Sequence, residues 1–164
     1  MEATTSGRLV AILSNPPLTA GTRTLRRVEL AAELLGFTEV GTANLFALPS
    51  HATGAIAKLG ETETGWLQAR PNLTTSIKSA DGVLLAYGMA TPTGEARFHF
   101  RQQVVWLTKE IADQSLPTWH VGDGPRHPSR WHRWTHRTYP EISFKEALKI
   151  SIIHSPPSPV GAYD

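Results

Sequence analysis

Apolar residues along this 164-residue chain fall into short solid runs that alternate with stretches of helical periodicity. Leu9-Val10-Ala11-Ile12-Leu13 is the first run, and Ser14-Asn15-Pro16-Pro17 ends it. A run this short, bounded by turn formers, predicts a strand buried on both faces. The prolines cannot extend its ladder. From Thr22 to Leu35 the positions Leu25, Val28, Ala32 and Leu35 recur at helical spacing, and Gly36 supplies the stop. Residues 39–46 predict a second strand, where the small Gly41 and Ala43 suggest close approach of a helix or ligand. Residues 47–70 contain Pro49, Gly54, Gly60 and Gly65, so no long element is expected until a helix near 72–80. Gly82 to Tyr87 predicts a third strand. Glu95 to Asp113 predicts a helix with Phe100, Val104, Leu107 and Ile111 along one stripe. Pro117 to Val121 predicts a fourth strand that ends at Gly122-Asp123-Gly124-Pro125, and Ser143-Phe144-Lys145-Glu146 is a capping box opening a last helix.

Strands alternating with helices imply βαβ units with right-handed crossovers. The expected fold class is α/β, a three-layer α/β/α sandwich around a mostly parallel four-stranded sheet. Residues 1–150 read as one domain without internal repeats. Residues 151–164 include His154-Ser155-Pro156-Pro157-Ser158-Pro159 and read as a mobile proline-rich tail.

Composition narrows the function classes. With 40% hydrophobic and 18% charged residues the chain is ordinary for a globular protein. No apolar run approaches the ~20 residues of a membrane span, and the first residues lack the pattern of a secretory signal. There is no cysteine, which excludes disulfides, thiolate zinc sites and cysteine-held iron–sulfur clusters. A cytoplasmic location follows as the expectation. Neither a phosphate-binding P-loop nor a Gly-x-Gly-x-x-Gly turn is present, and no serine sits in a Gly-x-Ser-x-Gly elbow. The net charge of +2 says little, but Arg126 to Arg137 holds four arginines, three histidines and two tryptophans with no acid.

Ligands of open α/β sheets bind beyond the carboxyl ends of the strands. The loops expected there carry Asn15, Asn44, Phe46, Tyr87 and the His127 segment, so Asn15, Asn44 and His127 are expected to face one cavity. Asn15 could orient water or bind a base edge, or it could simply form a turn. Asn44 could pair with a base edge, or merely end its strand. His127, between Arg126 and Pro128, could act as donor or acid–base group, and nearby arginines favour its neutral form. Ser129 is placed to cap a following helix. Arg126, Arg130, Arg133 and Arg137 are spaced four, three and four apart, one face of a helix, with Trp131 and Trp134 interleaved. Such a row suits phosphates, with aromatic rings stacking on or wedging between bases; a solvated basic face is the plainer reading. His132 and His136, one helical turn apart, could ligate a metal, but flanking cations oppose it and no metal is expected.

Leu13-Ser14-Asn15-Pro16, Thr24-Leu25-Arg26-Arg27, Asn44-Leu45-Phe46-Ala47-Leu48, Leu85-Ala86-Tyr87-Gly88 and Gly124-Pro125-Arg126-His127-Pro128 together resemble the bacterial and viral domain of unknown function family 1643, over about residues 9–129. More distantly, their order resembles the uracil-DNA glycosylase superfamily. That resemblance implies a glycosylase-like fold in which Asn15 positions water, Asn44 reads an extruded base and His127 of His127-Pro128-Ser129 stabilises the departing base. Trp131 takes the place of the wedge residue, and Phe46 and Tyr87 are the candidate stacking rings. Pro17 stands where the Asn-Pro branch has glycine, which removes a backbone donor. The function so implied is N-glycosidic hydrolysis in nucleic acid, DNA before RNA, or in a nucleotide, without a cofactor. A binding module without catalysis is the alternative.

Overall fold

The computed structural model describes residues 6–17, 21–50 and 55–155. Strand β1 (Arg8–Leu13) leads to helix α1 (Thr22–Leu35), β2 (Glu39–Asn44), a single turn α2 (Ile56–Leu59) and α3 (Thr64–Lys78). Strand β3 (Gly82–Leu85), α4 (Glu95–Asp113) and β4 (Thr118–Val121) follow. A 3-10 turn (Pro128–Arg130) runs into α5 (Trp131–Thr138), then α6 (Phe144–Ser151) and β5 (Ile152–His154). Among the described residues the sheet has five strands rather than the expected four, in the order β2-β1-β3-β4-β5. The first four are parallel, and β5 runs antiparallel to β4, pairing His154 with Trp119. Part of the expected tail is therefore the end of α6 and an edge strand; residues 156–164 lie outside the described residues. No helix among the described residues is long and apolar enough to cross a membrane.

Helices cover both faces of the sheet, and β1 shows why. Successive side chains of a strand point to opposite faces. Val10 and Ile12 join Trp66, Leu73 and Ile77 of α3 and Leu107 of α4 in one core. Leu9, Ala11 and Leu13 join Val28 of α1, Trp131 of α5 and Leu148 of α6 in the other. Each face buries its own apolar layer, so β1 reads as the continuous run from which it was predicted.

Two expectations change. Helix α3 begins at Thr64, well before residue 72, and runs through Pro71. Pro71 lies on the exposed side, while Trp66, Ala69, Leu73 and Ile77 form the buried stripe that holds the helix together. The room at Gly41 is taken by the guanidinium of Arg8, whose Nη2 lies 2.6 Å from where a Cβ would stand. At Ser143 one half of the expected capping box forms, the Oγ accepting from Glu146 N at 3.2 Å.

Register aligns the carboxyl ends of the strands. Leu13 pairs with Asn44, and Ile12 with Leu85. The chain leaves β1 toward β2 on one side, while β3 leads away to β4 on the other. The gap between the ends of β1 and β3 is thus a topological switch point, where an open α/β sheet has a crevice.

Candidate functional site: an arginine cleft and an aromatic slot

That crevice is a cleft of about 680 Å³. Ser14 and Asn15 enter from the end of β1, Tyr87 and Gly88 from beyond β3, and His127, Ser129 and four arginines from beyond β4. The arginines are Arg126, Arg130, Arg133 and Arg137, and among the described residues no acidic side chain lines the cleft. Arg126 lies in the loop, Arg130 in the 3-10 turn and the other two on α5, yet all four reach one wall.

These cations are not equivalent. Arg126 donates from Nε and Nη2 to the two carboxylate oxygens of Asp123, at 2.5 and 3.1 Å. This fork depresses the Asp123 pKa and raises that of Arg126, in each case chiefly through the shared hydrogen bonds. Among the described residues Arg130, Arg133 and Arg137 have no carboxylate within ion-pair distance. Three exposed guanidinium groups therefore face the cleft uncompensated.

His127 is built into this wall. Its backbone is extended and caps the 3-10 turn, with Nδ1 accepting from Ser129 N at 3.2 Å and lying 2.9 Å from Ser129 Oγ. A backbone N–H can only donate, so Nδ1 carries the lone pair and the ring proton of the neutral imidazole resides on Nε2. Burial lowers the His127 pKa, and Arg130 and Arg27 lower it further. Arg27 reaches over from α1 to donate to Pro128 O at 2.7 Å. The result is an uncharged Nε2–H donor among cations.

Asn15 also lines the cleft, but its amide nitrogen is committed. Nδ2 donates to Leu48 O at 3.1 Å and to Ser50 Oγ at 2.9 Å, tying the loop after β2 to the end of β1. Its Oδ1 is left as the acceptor for a ligand or water. Asn44 is not among the cleft-lining residues; its Oδ1 is buried without a hydrogen-bond partner among the described residues. Asn15 and His127 thus share the cavity and Asn44 does not.

Trp131 departs furthest from expectation. It is 0% exposed in the core beneath the sheet, and its Nε1 donates to Arg126 O at 2.9 Å. A side chain so enclosed cannot wedge into a stack or touch nucleic acid; it fixes the arginine–histidine loop from below. The tryptophan that lines the cleft is Trp134. Gly122, at φ +77°, makes room for it, since a Cβ there would come within 2.9 Å of the Trp134 ring. Among the described residues no group of three or more metal-ligating side chains is assembled, and the His132 and His136 rings stack 6.4 Å apart.

Beside the cleft opens a smaller slot of about 200 Å³, sharing Ser14, Tyr87 and Ala90 with it. Phe46, Trp66, Tyr87 and Phe100 line the slot, with Thr91 and Thr93 among its polar margins. The Phe46 and Trp66 rings lie 4.6 Å apart, and Phe100 stands edge-on to both Trp66 and Tyr87. Of the expected stacking rings, Phe46 is 0% exposed, enclosed in the core as Trp131 is, and Tyr87 is buried beside it. Phe100 was read only as part of the α4 stripe, and Trp66 was missed because no long element was expected across residues 47–70. The arrangement offers fixed positive charge, one neutral donor, one amide acceptor and an adjoining apolar slot. Comparison with family models, curated proteins and solved structures found no match.

Proposed function

We propose that the protein handles a nucleobase carried on a sugar phosphate, in a nucleic-acid strand or a nucleotide, and hydrolyses its N-glycosidic bond. The observation that carries this reading is the cleft in which Arg126, Arg130, Arg133 and Arg137 stand around His127 with no acidic side chain among the described residues of the lining. Phosphates occupy Arg130, Arg133 and Arg137, whose charge has no internal partner among the described residues. The base lies at the mouth of the apolar slot against Phe100, the one slot ring that is not buried; Phe46, Trp66 and Tyr87 form the enclosed floor behind it. DNA is preferred to RNA on the resemblance to uracil-DNA glycosylases.

In this mechanism the bond from the sugar C1′ to the base nitrogen breaks and its electron pair leaves with the base. Water held at Asn15 Oδ1 forms the new C1′–O bond, and its proton passes to the departing base or to solvent. His127 Nε2–H donates to the negative charge as it builds on the base. A neutral Nε2–H stabilises that charge by hydrogen bonding alone and keeps its proton throughout. Among the described residues of the cleft lining there is no carboxylate to activate water, and the route proposed is one in which the sugar is already cation-like when water arrives.

The test is incubation with oligonucleotides carrying uracil, mismatched or modified bases, with released base detected by mass spectrometry. Release that falls by about 10²–10³-fold in His127→Ala supports the role of His127. Release unchanged in that variant overturns it. Salt-sensitive binding without release from any substrate leaves the binding module as the function.

A further inference from the structure

Positive charge does not stop at the cleft. Helix α1 opens with Thr22-Arg23-Thr24-Leu25-Arg26-Arg27, whose three arginines are spaced three and one apart and share one face. Gly21, the residue before the helix, lies against Pro17 of the cleft lining, where a Cβ would stand 3.1 Å from the proline Cγ. Arg27 makes the second join. Its Nη1 donates to Pro128 O at 2.7 Å, directly after His127, and its guanidinium lies 5.8 Å from the centre of the Phe144 ring. Burial lowers the Arg27 pKa and Arg23 lowers it further; burial, Arg130 and Arg27 in turn depress that of His127. From the His127 loop the arginines thus run two ways, along α5 through Arg130, Arg133 and Arg137, and along α1 through Arg27, Arg26 and Arg23.

Arg23 and Arg26 are exposed and, among the described residues, have no carboxylate within ion-pair distance. Like charges one helical turn apart repel, and the backbone dipole disfavours cations in a first turn. No acid stands in that turn of α1, and Glu33, further along, pairs with Lys145 at 3.6 Å. These arginines therefore weaken the helix by itself, and a polyanion laid along them would offset the repulsion. A free nucleotide carries its phosphates on one side of the sugar. A nucleotide within a strand has one on each side, as the two runs of arginine require.

We infer that the ligand is a nucleic-acid strand rather than a free nucleotide, and that its backbone runs from the cleft arginines past His127 onto Arg23 and Arg26 of α1. The inference rests on the reading that the cleft holds phosphates, and it names the polymer as the class of ligand. Arg27 supports the His127 loop and joins the two segments.

The experiment measures, for the full chain, how affinity depends on salt with two labelled strands. One is a thymidine tetranucleotide, whose three phosphates match Arg130, Arg133 and Arg137; the other is a thymidine dodecanucleotide. Each phosphate contact steepens the slope by about 0.7. Arg23→Gln with Arg26→Gln is therefore expected to flatten the dodecanucleotide slope by about 1.4, so that a tenfold rise in salt costs about 25-fold less affinity than in the wild type. The tetranucleotide slope should stay as it was. Both side chains are exposed, so the fold is kept. Lys78→Gln with Lys109→Gln removes the same charge from α3 and α4, which pack on the other face of the sheet, and should change neither slope. A dodecanucleotide slope unchanged by the arginine pair, or flattened equally by the lysine pair, overturns the inference. So does an equal flattening with the tetranucleotide. The cleft reading is tested apart from this by Arg133→Gln with Arg137→Gln, which should flatten both slopes. Slopes unchanged in that variant, or no binding to either strand, overturn the phosphate reading of the cleft and the inference with it.

Discussion

Charge removal in the cleft gives a measurable slope. Each phosphate contact to a single strand steepens the dependence of log affinity on log salt by about 0.7. Arg126 is held by Asp123, so three arginines, Arg130, Arg133 and Arg137, remain for phosphates. The expected slope from the cleft is therefore about −2.1, a loss of about 130-fold in affinity over a tenfold rise in salt. With Arg133→Gln and Arg137→Gln together one contact remains, and the same rise in salt costs about fivefold. The converse change is Asp123→Asn, which releases Arg126 to a fourth phosphate and steepens the slope by about 0.7. Fluorescence anisotropy of a labelled single strand, titrated across salt concentrations, reads all three slopes. A double variant whose slope equals that of the wild type would refute the assignment of phosphates to this wall, whatever its effect on affinity at one salt concentration.

Three further outcomes follow. Since the His127 pKa lies below its ordinary 6.5, the unfolded chain takes up this proton before the folded one does. Its contribution to stability is whole above about pH 6.5 and is lost as pH falls toward the lowered folded value; urea midpoints across this range should fall more steeply for wild type than for His127→Gln. The same lowering keeps the Nε2–H donor neutral, so base release should persist at pH values where an ordinary histidine is already half charged. Gly65→Ala places a methyl carbon 2.5 Å from the Phe46 ring, and the crowding should cost about 1–3 kcal/mol in urea unfolding. A variant as stable as wild type would mean that α3 shifts freely against the end of β2.

Strands β1 and β3 could be read directly from the chain because strands buried on both faces leave solid apolar runs. Helices α1 and α4 were equally plain from their stripes, although Leu25 at the head of the α1 stripe is 42% exposed. Helix α3 was hidden by Gly65 and Pro71, residues that usually break helices. Its stripe from Trp66 to Ile77 outweighs them, because Pro71 faces solvent and Gly65 admits the Phe46 ring. Strand β5 escaped notice since three residues before a proline run carry no periodicity. In the site, the arginine row and His127 were legible as a dense acid-free segment. Which side of α5 faces inward was not, for Trp131 and Trp134 are chemically alike and only packing against Val28 and Leu148 separates their roles.

The hydrogen bond from Trp131 to Arg126 O joins the reactive-looking loop to the hydrophobic interior. Any change that lets the indole settle elsewhere, at Leu148 or Val28 for instance, would carry the loop with it. Random mutagenesis scored by ligand retention should therefore return inner-layer positions far from the ligand alongside the arginines. The loop inherits its aim from the scaffold, so a partner arriving there meets a shape already set.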